Sequence, residues 1–319
     1  MRDNDSATTQ VAIAVSAPTA AGHSAPKAAT TRGPLVSRGA LLAALGVASF
    51  SLTFPGTAWA LEGMGPWTVV MLRSVLATVL IGGALAVFRV RVPERRHWAG
   101  IAIVAGGAFL GFPILTTLAL QTSTTSHAAV VVGLLPLTTA AFSAVRTGAR
   151  PSRTFWVASL IGAAVVIGFA VQQSGGAPGR GDLFLFAALL VCAAGYTEGG
   201  RLARYMPGWH VVGWALVLAL PVTVTGAAIA LSTEPLHLTA HAVGGLLWLA
   251  AGSNFLGMVV WYRGMAMIGI SKASQLQLAQ PLLTLLWSVL LLGERLPPAA
   301  PAAALAVLAC IAVTQRARG

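Results

Sequence analysis

From Ala273 to Leu292 the chain runs without a charged side chain, over a length that matches the about 20 residues a helix needs to cross the hydrocarbon core of a bilayer. Hydrocarbon offers no partner to backbone N–H and C=O groups, so such a run folds as a helix that satisfies its own. Gln277, Pro281, Thr284 and Ser288 fall on one face of that helix with Gln280 beside them, and Leu278, Leu282, Leu285, Leu286 and Leu290 cover much of the rest. Lipid penalises a polar stripe of this kind, which therefore faces protein or water. Pro281 has no N–H to donate and leaves a carbonyl one turn earlier unpaired, a defect tolerated only beside neighbouring helices or a cavity. A cavity is expected beside Pro281.

The same pattern occurs earlier, from Ser126 to Val145. Sliding the chain by 145 residues without a gap lays Ser126 on Ser271, Ala128 on Ala273, Pro136 on Pro281, Leu137 on Leu282, Thr139 on Thr284 and Ser143 on Ser288. Alanine and leucine matches arise between any two apolar helices. The proline, threonine and serine matches do not, and they mark an internal duplication.

Ten apolar segments follow one another: Gly39–Leu61, Pro66–Phe88, Trp98–Leu120, Ser126–Val145, Phe155–Val171, Asp182–Gly200, Val211–Leu231, Val243–Ile268, Ala273–Leu292 and Pro297–Val313. With 56% hydrophobic and 9% charged residues, the chain lies far outside the composition of soluble domains and reads as an all-α integral membrane protein of ten transmembrane helices. Residues 1–37 are rich in Ala, Thr, Ser and Pro and lack an apolar period, so a disordered cytoplasmic tail is expected there. The first span ends in Ala58-Trp59-Ala60, which has the small-x-small form of a signal-peptidase site. The long tail ahead of it, and an apolar run that continues through the site, favour a retained helix. Cys192 and Cys310 are too few and too far apart in sequence for a disulfide framework or a metal site.

If the spans alternate in direction, 17 of the 20 Lys and Arg fall on one side, in residues 1–38, 89–97, 146–154, 201–210, 263–272 and the C-terminal tail. The positive-inside rule makes that side the cytoplasm of a cell membrane, with both termini on it. The net charge of +12 is thus a topology signal, since the basic residues form no aromatic-interleaved stripe of the kind that binds nucleic acid. Five spans per repeat is an odd number, so the second repeat, 182–315, is inverted relative to the first, 38–172, across an external loop at 173–181. Inverted repeats imply alternating access.

Gln280-Pro281-Leu282, followed by Leu291-Leu292-Gly293-Glu294-Arg295 and preceded by Trp261-Tyr262-Arg263-Gly264-Met265-Ala266, resembles the EamA-type transporters of the drug/metabolite transporter superfamily. Pro66 to Ala77 is similar to that family's second helix with its arginine, here Arg73, and Ala119 to Pro136 to its third-to-fourth-helix segment. The resemblance covers about residues 39–315. Two departures are visible: Ser51-Leu52-Thr53-Phe54-Pro55-Gly56 replaces a Trp-Gly-Ser-type run, and Val145-Arg146 stands where the second half has Leu-Gly-Glu. The resemblance implies a secondary-active exporter of small polar metabolites or drugs and leaves room for a homodimer. A channel or a non-transporting structural membrane partner is the other reading.

Arg73 lies about two turns inside a span, where a charge costs about 2.5–3.5 kcal/mol on insertion scales. Either it faces a cavity as a bidentate donor to an anionic or carboxylate-bearing solute, or it snorkels or bonds a neighbouring helix to fix the fold. Glu198 is either a proton-coupling carboxylate or the partner of Arg201 at the cytoplasmic end. Asn254, Tyr262, Gln275, Gln277 and Gln280 supply neutral polar groups from the eighth and ninth spans, and Thr284 and Thr139 add hydroxyls on matching faces. The expected substrate-binding set is Arg73, Thr139, Asn254, Tyr262, Gln277, Gln280 and Thr284, with Pro136 and Pro281 as helix breaks. His127, at a span's outer mouth, is expected to be solvated. No span carries paired aspartates, an HExxH pair or a nucleophile turn, so no catalytic residue, cofactor or metal is called for.

Overall fold

The structure is a computed structural model that describes residues 38–147, 152–173, 179–203, 205–268, 276 and 279–316. Residues 1–37, most of the 173–181 loop, Gln275 and Gln277 lie outside the described residues, as do the side chains of Pro136, Ser143 and Tyr262. The helices are α1 (Arg38–Leu61), α2 (Pro66–Val87), α3 (Arg95–Ala119), α4 (Thr125–Arg146), α5 (Arg153–Gln173), α6 (Arg180–Leu202), α7 (Gly208–Thr233), α8 (240–268), α9 (Ala279–Leu292) and α10 (Ala299–Arg316). Among the described residues, seven helices are long and apolar enough to cross a membrane, and the apolar stretches of α5, α9 and α10 are shorter. The chain is a multi-pass membrane protein built from helices.

The helix ends follow from local chemistry. Pro66, whose missing N–H is harmless in a first turn, opens α2. Thr124 and Thr239 cap α4 and α8 by accepting the N–H of His127 and Ala242. At the end of α9, Gly293 takes φ +64°, the left-handed conformation that glycine adopts without a Cβ penalty.

The helices pair as a duplicated chain requires: α2 packs on α7, α5 on α10, α4 on α9, α3 on α6 and α8 on α1. The shift by 145 residues maps the first three pairs onto themselves and exchanges the last two. It also relates two departures from α-helical geometry. Ala105–Gly111 in α3 and Trp248–Gly257 in α8 are wound as π-helix, and the shift lays Gly107 on Gly252 inside both. Such wide turns are rare and concentrate at functional sites.

Two further helices are broken. In α1 the ladder is interrupted at Leu52, because Pro55 has no N–H for the Ser51 carbonyl four residues back. That carbonyl accepts the Thr284 hydroxyl of α9 at 2.9 Å, and the Ser51 hydroxyl accepts the Trp287 indole N–H at 2.9 Å. In α4 the helix stops at Val132, turns through Gly133 and Leu134, and restarts at Leu135, so that Pro136 falls in the first turn of the new segment. A Cβ on Gly133 would lie 3.3 Å from the Pro281 ring, which puts the break of α4 directly against the proline of α9.

Candidate functional site

The site is assembled on the π-helical part of α8. Ser49 and Thr53, one turn apart on α1, brace it: Ser49 donates to the Gly252 carbonyl at 2.7 Å, and the Thr53 and Ser253 hydroxyls are 2.9 Å apart. The next residue, Asn254, faces α2. Its amide oxygen accepts Nη2 of Arg73 at 2.9 Å, with both side chains buried, at 3% exposure for Arg73 and 5% for Asn254. The guanidinium does not snorkel. Its Nε and the Nδ2 of Asn254 have no hydrogen-bond partner, and among the described residues no carboxylate forms an ion pair with Arg73.

The chemistry of the pair follows from its valences. A guanidinium can only donate, so the amide of Asn254 must turn its oxygen toward Arg73 and keep its N–H groups for something else. The buried atoms left without a partner, Nε of Arg73 and Nδ2 of Asn254, are both donors. A buried donor left without an acceptor costs about 1–3 kcal/mol, and more when charged. An acceptor-rich, negatively charged group such as a carboxylate would match these donors.

The other expected site residues fall in different places. Thr284 is 2% exposed and its hydroxyl is taken up by the Ser51 carbonyl of α1. The Thr139 hydroxyl is buried without a partner, as are those of Thr68, Thr117 and Thr197. Gln280 is half-buried at the start of α9. Among the described residues no hydrogen bond joins Thr139 or Gln280 to the Arg73–Asn254 pair. Gln277 and the side chain of Tyr262 lie outside the described residues.

Glu198 is 3% exposed, and its two oxygens are divided between two helices. Oε2 accepts Nε of Arg201 at 2.6 Å on its own helix α6, and Oε1 accepts Nε of Arg146 from the end of α4 at 3.2 Å. The carboxylate thus ties α4 to α6 at the end of the bundle where α2 turns into α3.

The expectation for His127 fails. Instead of being solvated, His127 is buried, stacked on Phe169 of α5 at 5.3 Å, with Nε2 2.6 Å from Oδ1 of Asp182. Asp182, 1% exposed, also accepts the Gly179 N–H at 2.8 Å through Oδ2, so a residue taken for a span mouth is more buried than Glu198. This second clamp holds α4 to α6 at the opposite end, where α1 turns into α2.

Two more carboxylates at that end cap helices from across the bundle. Glu294 accepts the N–H groups of Thr125 and Ser126 at 2.8 and 3.0 Å, at the floor of a cleft of about 290 Å³ lined by Leu61, Gln121 and Ser123. Glu234 accepts those of Trp67 and Thr68 at 3.2 and 2.7 Å, an approach open only because Gly65 lacks a Cβ. An anionic cap on free N–H groups contributes about 0.5–2 kcal/mol. Glu294→Ala is therefore expected to lower the melting temperature of the purified protein by a few degrees, with Glu294→Gln, which keeps one acceptor, lying between. Equal melting of all three proteins would refute the cap.

A model of the EamA-like transporter family matches the chain twice, at residues 37–171 and 179–315. The chain belongs to the EamA-like transporter family. The EamA assignment agrees with a relative from Bacillus subtilis (strain 168) named "Uncharacterized transporter YdeK", 41% identical over 275 residues, which span 85% of this chain and 95% of the relative. An "Uncharacterized transporter" of Haemophilus influenzae is 27% identical over 140 residues, 41% of this chain and 81% of its own length. A solved crystal structure matches with a TM-score of 0.62 at 20% identity, covering 87% of this chain and 96% of that one, which is a likeness of fold. Family, relatives and helices together make this EamA protein a membrane transporter.

Proposed function

We propose that the protein is a secondary-active exporter of small polar metabolites or drugs bearing a carboxylate, working by alternating access across the cell membrane. The observation that carries this reading is the Arg73–Asn254 pair, a buried cation and amide whose partnerless buried atoms, Nε and Nδ2, are both donors. In this reading ten spans form two inverted repeats, and both termini are cytoplasmic. The end bearing Arg89, Arg91, Arg146 and Arg201 is then the cytoplasmic one. The breaks in α1 and α4 and the π-helical stretches of α3 and α8 supply irregular backbone at mid-helix, which membrane proteins tolerate where it is buried in protein or lines a cavity. Glu198 enters as the carboxylate that closes the cytoplasmic ends of α4 and α6, and proton exchange there requires release of Arg146 and Arg201. Gln280 and Thr139 complete the solute's surroundings.

The deciding experiment is a solute screen by thermal shift, followed by counterflow in proteoliposomes with whichever compound stabilises the protein, since a ligand of the folded state raises its stability by mass action. Carboxylate-bearing compounds are expected to stabilise and to exchange in counterflow, and their methyl esters are not. Conductance that never saturates with solute would instead mark a channel. Orientation is read separately, by labelling single cysteines in a background lacking Cys192 and Cys310. Leu238→Cys is expected to react with an impermeant maleimide from outside the cell and Val92→Cys only after permeabilisation. The reverse pattern would invert the assignment.

A further inference from the structure

At the α2–α3 end of the bundle, α2, α7 and α8 do not close on one another. Among the described residues they leave a partly open crevice of about 570 Å³, whose wall includes Ala84 and Phe88 of α2, Trp209 of α7 and Phe255 and Val259 of α8. Among the described residues one cation, Arg263, joins this wall, one turn beyond Val259. The surrounding surface is apolar: Val79, Val87, Phe88 and Leu256 are all exposed, as expected of side chains that meet acyl chains. Phe88 and Trp209 stand edge to face, 6.1 Å apart at 76°, and α7 begins beside them at Gly208, where the N–H groups of Gly208 and Trp209 have no acceptor within the helix and that of His210 donates to the Pro207 carbonyl at 2.8 Å.

We propose that this crevice is a binding site for an anionic phospholipid of the leaflet at the α2–α3 end. The fit is one of chemistry along the length of the crevice. An acyl chain lies against Ala84, Phe255 and Val259, and the phosphate sits at the mouth, where Arg263 and the positive end of α7 face it. Among the described residues Arg263 has no ion-pair partner, and its side chain is exposed. The basic residues Arg89 and Arg91 follow directly on α2 and add to the attraction. A zwitterionic lipid would fill the apolar part as well and gain little from the cations, so the site distinguishes lipids by net charge. Phe255 is the neighbour of Asn254 in the π-helical stretch, and lipid in the crevice therefore packs against the back of the helix that holds Arg73.

The test uses the full-length protein in detergent, with native mass spectrometry and thermal melting in the presence of phosphatidylglycerol or phosphatidylcholine of the same acyl chains. Phosphatidylglycerol is expected to remain bound and to raise the melting temperature, and phosphatidylcholine to do so far less. Arg263→Gln should weaken phosphatidylglycerol binding about fivefold, Arg263→Lys should retain most of it, and Val259→Trp should expel both lipids by filling the crevice. Arg180→Gln, at the opposite end, should bind as the parent does. Equal retention of the two lipids, or full phosphatidylglycerol binding by both Arg263→Gln and Val259→Trp, would overturn the proposal. So would an equal shift from glycerol phosphate alone, or a dimer whose interface excludes lipid from Val259→Cys labelling. None of these readouts involves the solute, so failure here leaves the transport reading untouched.

Discussion

Arg73→Gln is expected to abolish transport of the carboxylate solute, by at least tenfold, without lowering the melting temperature of the purified protein. The two halves of that result have one cause. A guanidinium that is 3% exposed and, among the described residues, bonded to one neutral amide is a cost to the empty protein, because a charge taken into a low-dielectric interior is not repaid by one hydrogen bond. Removing it relieves that cost, while glutamine can still donate to the Asn254 oxygen. With solute bound the balance reverses, since a charge-assisted, bidentate contact to a carboxylate contributes about 1.5–3 kcal/mol per hydrogen bond. Arg73→Lys keeps the charge and loses the planar fork, so solute affinity should fall about tenfold with expression unchanged. Loss of folded protein in both variants would show instead that Arg73 holds α2 to α8 and has no part in recognition.

Arg73 and Asn254 were legible as members of one binding set, but not as partners in direct contact. Hydropathy shows that a cation sits inside the second span and an amide inside the eighth, but a one-dimensional pattern assigns faces and not partner helices. The same limit applies to Thr284. Its placement on a polar face of α9 and the freed carbonyl expected of a membrane proline are both sound physics, yet the carbonyl it reaches is that of Ser51, released by Pro55 on α1. Pro55, inside the run from Ser51 to Gly56 that departs from the family pattern, was the available cue.

Depth counted along the chain misled the reading of His127 and Asp182. Both sit within three residues of a helix start, where sequence alone implies water. Packing of α4, α5 and α6 buries both, with His127 stacked on Phe169, and each side chain becomes the other's partner. The π-helical stretches leave no trace in hydropathy at all. The shift by 145 residues lays Gly107 on Gly252, but glycine is common in membrane helices and such a match signals no change of winding.

Glycine also sets the largest stability effects expected of single methyl groups. In α3, Gly106 and Gly107 are adjacent, yet a Cβ on Gly106 would meet no atom within 4 Å, whereas one on Gly107 would overlap the Val191 carbonyl of α6 and stand 3.1 Å from the Gly195 nitrogen. The reciprocal contact is equally tight, with a Cβ on Gly195 at 2.9 Å from the Ala108 nitrogen. In α8, Gly244 is likewise open, and a Cβ on Gly245 would overlap the Gly56 carbonyl of α1 and approach the Ala60 nitrogen to 2.8 Å. These are backbone atoms, which cannot rotate away as a side chain can. Small residues that let two backbones touch are the main source of attraction between membrane helices, which have no hydrophobic effect to draw them together. Forcing the helices apart therefore removes the whole interface and not one contact, at a cost that exceeds the about 1–3 kcal/mol of ordinary overpacking. Gly107→Ala and Gly245→Ala should each leave little monodisperse protein after solubilisation, and Gly106→Ala and Gly244→Ala should express and melt like the parent. Because each variant drives a Cβ into the backbone of the partner helix, the two should fail to a similar degree. Normal folding of Gly107→Ala would show that α3 and α6 do not meet backbone to backbone, and with that the pairing that brings Glu198 and Arg201 against Gly100 of α3 would fall as well.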